Sequence, residues 1–563
     1  MKSCSKFQIL FSGVGIGSFA FLLYAFTGAR TIQWQDSAQF TYRICSGTLW
    51  NEYGLAMVHP LHFWLGRLMM SIFPGPDPWA VSLVSALGGA LAVGLVFVCI
   101  FKLTGKKSAA LFGAMTLMLA HSFWRFSGLP EVYTWSAALL LGEVVFYLRL
   151  RETNHPSAWW GVFFVNGLAF ANHNMALLST AVWGITFLLW AKRSSSAPAR
   201  RAPPRPGVPA VEPAKEIGIH SRRRRLFSAG TAELPLPPFA ELRPPISDLR
   251  FPISFFHLFP IAFFWILGAL PYLLIVLLEL KQRPFGEVIH SALFGEHFKN
   301  QVAGLLPAPG ILLISLAFML LSFPGFALFF AGRAVLKRIV ERGRPPGRGS
   351  RSARAGAPMT AISLPLPVLF IVLLHLVFFL RYNVIDQYTF LIPVYALIAL
   401  LAGVGFATLR GTSVWKKLAW GLLLLQPLMY MAVPAWARQS GVLARHERHK
   451  PYRDDYNYLF LPWQVQERSA EKLMQDAFGA IQPGGVMVVE DSMAHYTVLW
   501  TRMLLGQEEP LKVVRPAQLL EGPAPAGSVW IPARSDLPPL EGWEKKGEVW
   551  IRTRAPRGDA NGG

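Results

Sequence analysis

Residues 30–66 read RTIQWQDSAQFTYRICSGTLWNEYGLAMVHPLHFWLG and follow the first apolar run of the chain. This stretch is too polar to cross a bilayer, yet it carries Trp34, Trp50 and Trp64 among other aromatic residues. Because aromatic rings prefer the depth of lipid head groups, the spacing predicts a segment that lies on a membrane surface. Asp36 on such a segment would face both water and head groups. It is therefore our candidate for the reactive centre.

The composition is typical of a polytopic membrane protein. Of 563 residues, 53% are hydrophobic and 15% are charged, whereas about a quarter of a soluble domain is charged. The N-terminal run resembles a signal sequence, but no small-residue cleavage site follows, so we expect it to remain as a membrane helix. Apolar runs long enough to span begin near residues 8, 79, 108, 131, 159, 175, 255, 308, 362, 389 and 418. They predict about eleven spans, or ten if the fifth and sixth form a re-entrant pair.

The basic residues behind the net charge of +22 lie in alternate loops. Thirty Lys and Arg lie in the N-terminus and in the loops near 102–107, 149–155, 191–254, 331–359 and 410–417, against eight in the opposite loops of the membrane part. Cytoplasmic loops are enriched in Lys and Arg, so this placement predicts a cytoplasmic N-terminus and an extracytoplasmic C-terminus. Loops 191–254 and 331–359 are rich in Pro, Arg, Ser and Gly, and we expect them to be disordered topology anchors. The placement argues against nucleic acid as a partner.

The pattern changes near residue 434 from membrane spans to a soluble type. Helices are predicted at 471–481 and 495–506, and strands at 486–491, 511–516, 527–533 and 548–553. These elements predict a small extracytoplasmic α/β domain over residues 434–563, after a membrane domain over residues 1–433. No GxGxxG motif follows the first strand, so we expect no nucleotide there.

The sequence shows no pattern typical of a metal site. Cys4, Cys45 and Cys99 have neither zinc-like spacing nor the arrangement of a disulfide framework. His59 and His62, three residues apart, could form a metal pair, but ordinary interfacial histidines are the favoured interpretation.

Polar residues that stand out against apolar surroundings collect on the predicted outer side. An ionisable residue in a span is disfavoured by about 2.5 to 3.5 kcal/mol at the bilayer centre and by less at the interface, so its presence suggests a role. The candidates, from four outer loops, are Asp36, His59, Glu131, Asn172, His173, Arg381, Asp386 and Tyr388.

Each main candidate also has a plain structural interpretation. Glu131 could be the acidic start of a helix, and Asn172 could be a cap or turn residue. Arg381 could be a helix-end residue whose charge reaches toward the head groups. Asp36 could be an ordinary loop carboxylate, since no helix that it could cap is evident within a turn.

Four motifs occur in order: QDSAQF at 35–40, HPLHFWLG at 59–66, FWRFSGLPEVYTW at 123–135 and GLAFANHNMALL at 167–178. Together they resemble the protein O-mannosyltransferase-like membrane family of the glycosyltransferase-C superfamily. The resemblance covers residues 30–190 well, and residues 386–395 and the C-terminal region more loosely. It implies an all-α, glycosyltransferase-C-like membrane fold with about eleven transmembrane helices, followed by the small extracytoplasmic α/β domain.

The resemblance also implies a reaction. Family members place an acidic residue of the first outer loop at the reacting centre and use a sugar carried on a polyprenyl phosphate; Asp36 takes that position. The implied enzyme transfers a sugar, with mannose among the candidates, to a hydroxyl of a protein, lipid or glycan with inversion. Gln39 stands where the family tends to have Glu, and Leu61-His62 replaces Pro-Gly. The first change removes a second carboxylate and disfavours a metal-dependent scheme.

The remaining expectations follow from this chemistry. Asp36 would be the base, with Glu131 as the second catalytic candidate. A guanidinium would stabilise the departing phosphate, with Arg381 as first candidate and Arg125 next. The other substrate-binding candidates are His59, Asn172, His173, Asp386 and Tyr388. We expect no cofactor beyond the lipid-linked sugar as cosubstrate, and an integral protein of the cell inner or plasma membrane, in contact with lipids and a protein or glycan acceptor.

Two rival functions stay open on the sequence. A transporter or flippase of lipid-linked sugars would also collect polar residues within a membrane bundle. Such proteins usually place these residues at the midplane and carry internal repeats, and the sequence shows no repeat. A non-catalytic membrane scaffold would need no base at Asp36.

Overall fold

The computed structural model describes residues 6–73, 75–196, 255–296, 309–343, 364–382, 384, 386–409, 411, 413–444, 447–506, 511–517, 524–536 and 541–553. The chain forms a large unit, Met1–Trp183 with Pro260–Gly563, and a small unit, Gly184–Phe259. The described residues of the small unit are the ends of two helices, and all further description concerns the large unit unless stated.

The described residues up to residue 439 are mostly helical. The helices are α1 Lys6–Thr27, α2 Gln35–Ser46, α3 Pro60–Ile72, α4 Pro78–Thr104, α5 Lys107–Met118, α6 His121–Ser127, α7 Tyr133–Thr153, α8 Ser157–Asn172, α9 Ala176–Ser196, α10 Phe255–Glu279, α11 Phe285–Phe294, α12 Pro309–Ser322, α13 Ala327–Gly343, α14 Leu366–Arg381, α15 Ile392–Ala407 and α16 Val414–Gln439. Short 3-10 turns precede α3 and α15 at Leu55–Met57 and Gln387–Leu391.

Every predicted apolar run coincides with helical structure, but not every helix spans by its own length and apolarity. Five helices in the described part of the chain meet both conditions, within α1, α4, α10, α15 and α16, and a sixth span results if α12 and α13 are joined. Those two helices meet at 94°, where Pro324 and Gly325 interrupt the backbone and Gly325 has φ +83. Proline cannot donate the helical hydrogen bond, which accounts for the bend. The count of eleven stays a prediction.

The loops expected to be disordered begin later than predicted. Residues 191–196 continue α9, and residues 331–343 continue α13. The sequence RAVLKRIVERG in α13 consists largely of residues with high helix propensity, which outweighs its basic charge. The rest of both loops lies outside the described residues.

Helix α4 is the central helix of the membrane part and packs against α1, α5, α7 and α15. The approach to α1 is close, since a Cβ on Gly94 would lie 2.8 Å from the carbonyl oxygen of Gly13. Small residues permit such contacts between membrane helices. By contrast, α1 and α16 expose large apolar side chains such as Phe7, Phe11 and Leu428. Exposed apolar faces of this size fit contact with lipid.

The C-terminal part of the large unit forms a small α/β fold, as predicted, which is called the α/β unit below. It contains α17 Asp455–Phe460, α18 Ser469–Ala480, β1 Met487–Val489, α19 Ser492–Leu504, β2 Val513–Val514, β3 Val529–Ile531, β4 Trp543–Lys546 and β5 Val549–Arg552. The strand order is β2-β1-β3-β5-β4. Strand β1 is parallel to β2 and β3, and β5 is antiparallel to β3 and β4. The sequence analysis missed β4, because the exposed charges of Trp543–Lys546 lack an apolar alternation. The domain boundary near residue 434 stays a prediction.

The segment that leads into α2 contributes to the core of this α/β unit. Ile32, Trp34 and Ala38 are buried in one apolar cluster with residues of α18, α19 and the sheet. Trp34 is 2% exposed, and its ring N–H donates to Ser469 Oγ over 2.8 Å. The prediction that Trp34 lies at a membrane surface is therefore wrong, because the α/β unit covers it. Trp64 agrees better with that prediction, since it is 54% exposed.

Candidate active site

A cavity of about 580 Å³ lies where α2, the loop before α7, the start of α9 and the segment after α14 meet helix α19. Its walls are largely aromatic and apolar, and three carboxyl groups interrupt them. Among the predicted site residues, those that line the cavity are Asp36, His59, Glu131, His173 and Asp386. A concave, mainly apolar pocket with a few convergent polar groups is the usual form of a small-molecule site.

Asp36 lies in the first turn of α2. The expectation that no helix follows within a turn is wrong, because the helix begins one residue before Asp36. An acidic residue is favoured at this end of a helix by the positive end of the dipole. Burial, and after it the charge of Asp386, raises the pKa of Asp36 from 3.8 to about 7. The carboxyl therefore changes its charge near neutral pH.

Glu131 lies in the loop before α7, which begins at Tyr133. One carboxyl oxygen of Glu131 accepts a hydrogen bond from Ser37 Oγ over 3.0 Å. Its main-chain N–H donates to Ser85 Oγ over 2.9 Å. Burial and the nearby charge of Asp36 raise the pKa of Glu131 well above its ordinary value, which favours the uncharged form of this carboxyl. Glu131 is thus a buried hydrogen-bonding group beside Asp36 and is outside the first turn of α7.

His59 and His173 form one stacked pair in the cavity wall, with ring centroids 5.1 Å apart. His59 Nδ1 lies 2.8 Å from the carbonyl oxygen of Asn172. The amide of Asn172 donates to the carbonyl oxygen of Val132 over 3.0 Å. Asn172 does not line the cavity; it joins the His59 loop to the loop that carries Glu131. Burial lowers the pKa of His59 to about 3 and that of His173 well below its ordinary value, so both rings are neutral.

Two cavity residues have left-handed backbone conformations that residues other than glycine rarely adopt. Gln35 has φ +57 and His59 has φ +50. Such conformations cost roughly 1 to 3 kcal/mol each and persist where the surrounding contacts hold them. They are concentrated at functional sites in proteins, which agrees with the position of both residues beside Asp36.

Besides Asn172, three further predicted site residues do not line the cavity. The guanidinium of Arg125 donates to the carbonyl oxygen of Tyr458 and lies 4.4 Å from the centroid of the Tyr458 ring. Tyr388 stacks on Phe318 with centroids 4.3 Å apart. Arg381 is exposed at the end of α14. Among the lining residues that the structure describes, none is Lys or Arg.

Other cavity residues were not singled out by the sequence analysis. Tyr133 follows Glu131 in the PEVYTW motif, so its position offered a signal. Met493 and Tyr496 on α19 also line the cavity. The Tyr496 hydroxyl donates to Glu52 Oε1 over 3.0 Å, although the two residues are 444 positions apart. No local pattern near residue 496 could have indicated this contact.

Of the two histidines considered as a metal pair from the sequence, only His59 lines the cavity. His62 packs against Phe40 with centroids 5.0 Å apart and does not line the cavity. Within the described residues there is no group of three or more His, Cys, Asp or Glu side chains that could hold a metal ion.

Comparison with known proteins agrees with this architecture. Residues 58–200 match the sequence profile of the dolichyl-phosphate-mannose-protein mannosyltransferase family. The structure is similar to that of ArnT from Cupriavidus metallidurans in the apo state, with 13% identity, a TM-score of 0.51 and 92% of each chain covered. It is also similar to ArnT from Cupriavidus metallidurans bound to undecaprenyl phosphate, with 12% identity, a TM-score of 0.51 and 94% of each chain covered.

No curated protein sequence matches the chain significantly. At 12 to 13% identity, the two structural similarities concern the fold. The resemblance seen in the four motifs is confirmed: the chain has a glycosyltransferase-C fold, and its residues 58–200 match the mannosyltransferase family profile.

Proposed function

We propose that this protein is a membrane glycosyltransferase that moves a sugar from a polyprenyl-phosphate donor to an acceptor hydroxyl on the extracytoplasmic face. The observation that carries the proposal is the position of Asp36, a carboxyl with a pKa of about 7 in the wall of a mainly apolar cavity. The family profile matched by residues 58–200 belongs to enzymes described by a dolichyl-phosphate-mannose donor. One structure with the same fold was solved with undecaprenyl phosphate.

In the proposed reaction, the acceptor oxygen attacks the anomeric carbon of the donor sugar. The bond between that carbon and the phosphate oxygen breaks, and its electron pair leaves with the polyprenyl phosphate. The hydroxyl proton passes to the Asp36 carboxylate, which acts as general base. A positioned base contributes about 10²- to 10⁴-fold to the rate, most efficiently when its pKa lies near the working pH. One displacement inverts the configuration at the anomeric carbon.

The other polar cavity residues would orient the donor sugar. The raised pKa of Glu131 favours its uncharged form, whose carboxyl can donate a hydrogen bond to a sugar hydroxyl while Ser37 donates to its other oxygen. The neutral rings of His59 and His173 each offer one donor and one acceptor nitrogen, although His59 Nδ1 is already engaged with Asn172. Asp386 would accept from a further hydroxyl. This division leaves Asp36 as the cavity carboxyl best suited to take the proton.

The proposal also specifies a sugar and an acceptor. Mannose is the first candidate sugar, because the matched profile is that of mannosyltransferases. The acceptor is a hydroxyl of a protein Ser or Thr, a lipid or a glycan. The reaction as written requires no cofactor besides the lipid-linked sugar as cosubstrate.

The test is loss of sugar from the donor. Purified full-length protein in detergent is mixed with a panel of radiolabelled polyprenyl-phosphate sugars, and slow hydrolysis suffices as a readout when the acceptor is unknown. Asp36→Asn keeps the shape of the side chain and removes its basicity, so turnover should fall about 10²- to 10⁴-fold while donor binding changes little. Asp536→Asn is the matched control, since Asp536 lies on the surface and pairs with Arg534.

Two results would overturn the proposal. Near-normal turnover in Asp36→Asn would exclude this residue as the base. Movement of an uncleaved donor across a vesicle membrane by the parent protein, with no cleavage of any donor in the panel, would identify a transporter or flippase instead.

A further inference from the structure

The charged groups of the cavity wall are unfavourable for the phosphate of a polyprenyl-phosphate donor. Its polar wall contains the carboxyls of Asp36, Glu131 and Asp386, and none of the described lining residues is Lys or Arg. The phosphate carries negative charge in the donor and gains more as the bond to the sugar breaks. A site without a nearby cation would repel this group, so a positive side chain should lie just behind the wall.

Arg448 lies at that position. It belongs to the segment between α16 and α17 and is partly buried. Its Nη1 lies 3.5 Å from the sulfur of Met493, which lines the cavity. Burial raises the pKa of Asp386, and the positive charge of Arg448 opposes part of that rise, so the guanidinium lies close enough to act on the Asp386 carboxyl.

The backbone of Arg448 is held in place from the α/β unit. Its main-chain N–H donates to Asp455 Oδ2 over 2.6 Å. Asp455 in turn forms a buried ion pair with Arg453, with 2.6 Å between the charged atoms. The guanidinium thus projects from a fixed backbone, which reduces the entropy lost when it binds a ligand.

Two other cationic side chains, those of Arg43 and Lys450, already have partners of their own. The guanidinium of Arg43 donates to the carbonyl oxygens of Leu49, Met57 and Val58. Lys450 pairs with Asp491 over 2.5 Å. The guanidinium of Arg448, by contrast, donates to the sulfur of Met493, and a thioether is a weak acceptor. A phosphate could replace this contact at little cost.

We propose that Arg448 binds the phosphate of the polyprenyl-phosphate donor and of the polyprenyl-phosphate product. This inference rests on the proposed function, and it moves the role of phosphate ligand from Arg381 and Arg125 to a residue of the C-terminal region. A guanidinium binds two phosphate oxygens through parallel N–H donors and stabilises the charge that develops on the leaving group. The α/β unit is then part of the donor site.

The binding experiment uses full-length protein in detergent, with undecaprenyl phosphate and undecaprenol as paired probes that differ in the phosphate alone. The parent protein should prefer the phosphate. Arg448→Gln should lose about 10- to 100-fold in affinity for undecaprenyl phosphate, in line with a lost charge-assisted hydrogen bond, and little for undecaprenol. Arg534→Gln is the matched control, because Arg534 is an exposed arginine of the same α/β unit.

The outcomes separate this inference from the proposed function. Equal binding of the two probes by the parent protein would overturn the donor class, and the role of Arg448 with it. A phosphate preference in the parent that survives unchanged in Arg448→Gln would overturn the role of Arg448 and leave the proposed function intact.

A second measurement avoids any folding defect of the variant. The parent protein is treated with phenylglyoxal, which modifies guanidinium groups, and the labelled residues are identified by mass spectrometry. Undecaprenyl phosphate should protect Arg448 and leave the labelling of Arg534 unchanged, and undecaprenol should protect neither. Equal labelling of Arg448 with and without undecaprenyl phosphate would contradict the assignment.

Discussion

Replacing Asp386 by Asn should shift the pH dependence of sugar transfer, while Asp36 remains available as the base. Burial, and after it the charge of Asp386, raises the pKa of Asp36 from 3.8 to about 7. A general base works only in its ionised form. Transfer by the parent protein should therefore rise with pH, reach half of its maximum near pH 7, and fall as Asp36 is protonated below that value.

The size of the shift follows from the order of the two causes. Because burial contributes more than Asp386, removing the Asp386 charge should lower the pKa of Asp36 by roughly one pH unit. The acidic limb of the pH–rate profile should move down by the same amount. At pH 6, Asp386→Asn should then keep a larger fraction of its own maximal rate than the parent protein keeps, even if the maximal rate falls because a cavity side chain has changed.

Glu131→Gln is the matched control for this experiment. Glu131 lines the same cavity, but its pKa is raised well above the ordinary value, chiefly by burial, which favours its uncharged form. Replacing Glu131 should leave the acidic limb of the pH–rate profile near pH 7. Initial rates of donor cleavage are measured between about pH 5 and 9 and normalised to each plateau. An unshifted limb in Asp386→Asn, or an equal shift in Glu131→Gln, would refute this electrostatic account.

The remaining predictions concern the α/β unit and the topology. Ser469→Ala removes the acceptor of the Trp34 ring N–H and should lower the free energy of unfolding by about 0.5 to 1.5 kcal/mol. Thermal unfolding and donor turnover are measured together on the variant. Unchanged values in both would mean that this hydrogen bond does not hold the segment around Trp34 in place. A topology reporter fused after Arg200 should be found on the cytoplasmic side of the membrane, and one fused at Gly563 should be found on the outer side. A cytoplasmic reading at Gly563 would show that the spans were miscounted.

Much of the architecture was predictable because the patterns that encode it are local. Long apolar runs are helices in the structure, since a backbone in lipid must satisfy its hydrogen bonds within the segment. Short apolar runs near residues 487 and 529 predicted strands β1 and β3. The polar candidates Asp36, His59 and Glu131 stood out against apolar neighbours, and the structure brings all three to one cavity.

Tertiary structure alone decided how these parts meet. An apolar pattern indicates that a residue is buried but does not name its partner, which is why Trp34 was expected at the membrane and is instead buried in the core of the α/β unit. For the same reason, no local signal connected Met493 or Tyr496 with Asp36. Charge patterns have the same limit: the sequence suggested Arg381 first and Arg125 next as the cation that binds the phosphate. Only the folded chain shows Arg125 against Tyr458 and Arg448 behind the cavity wall.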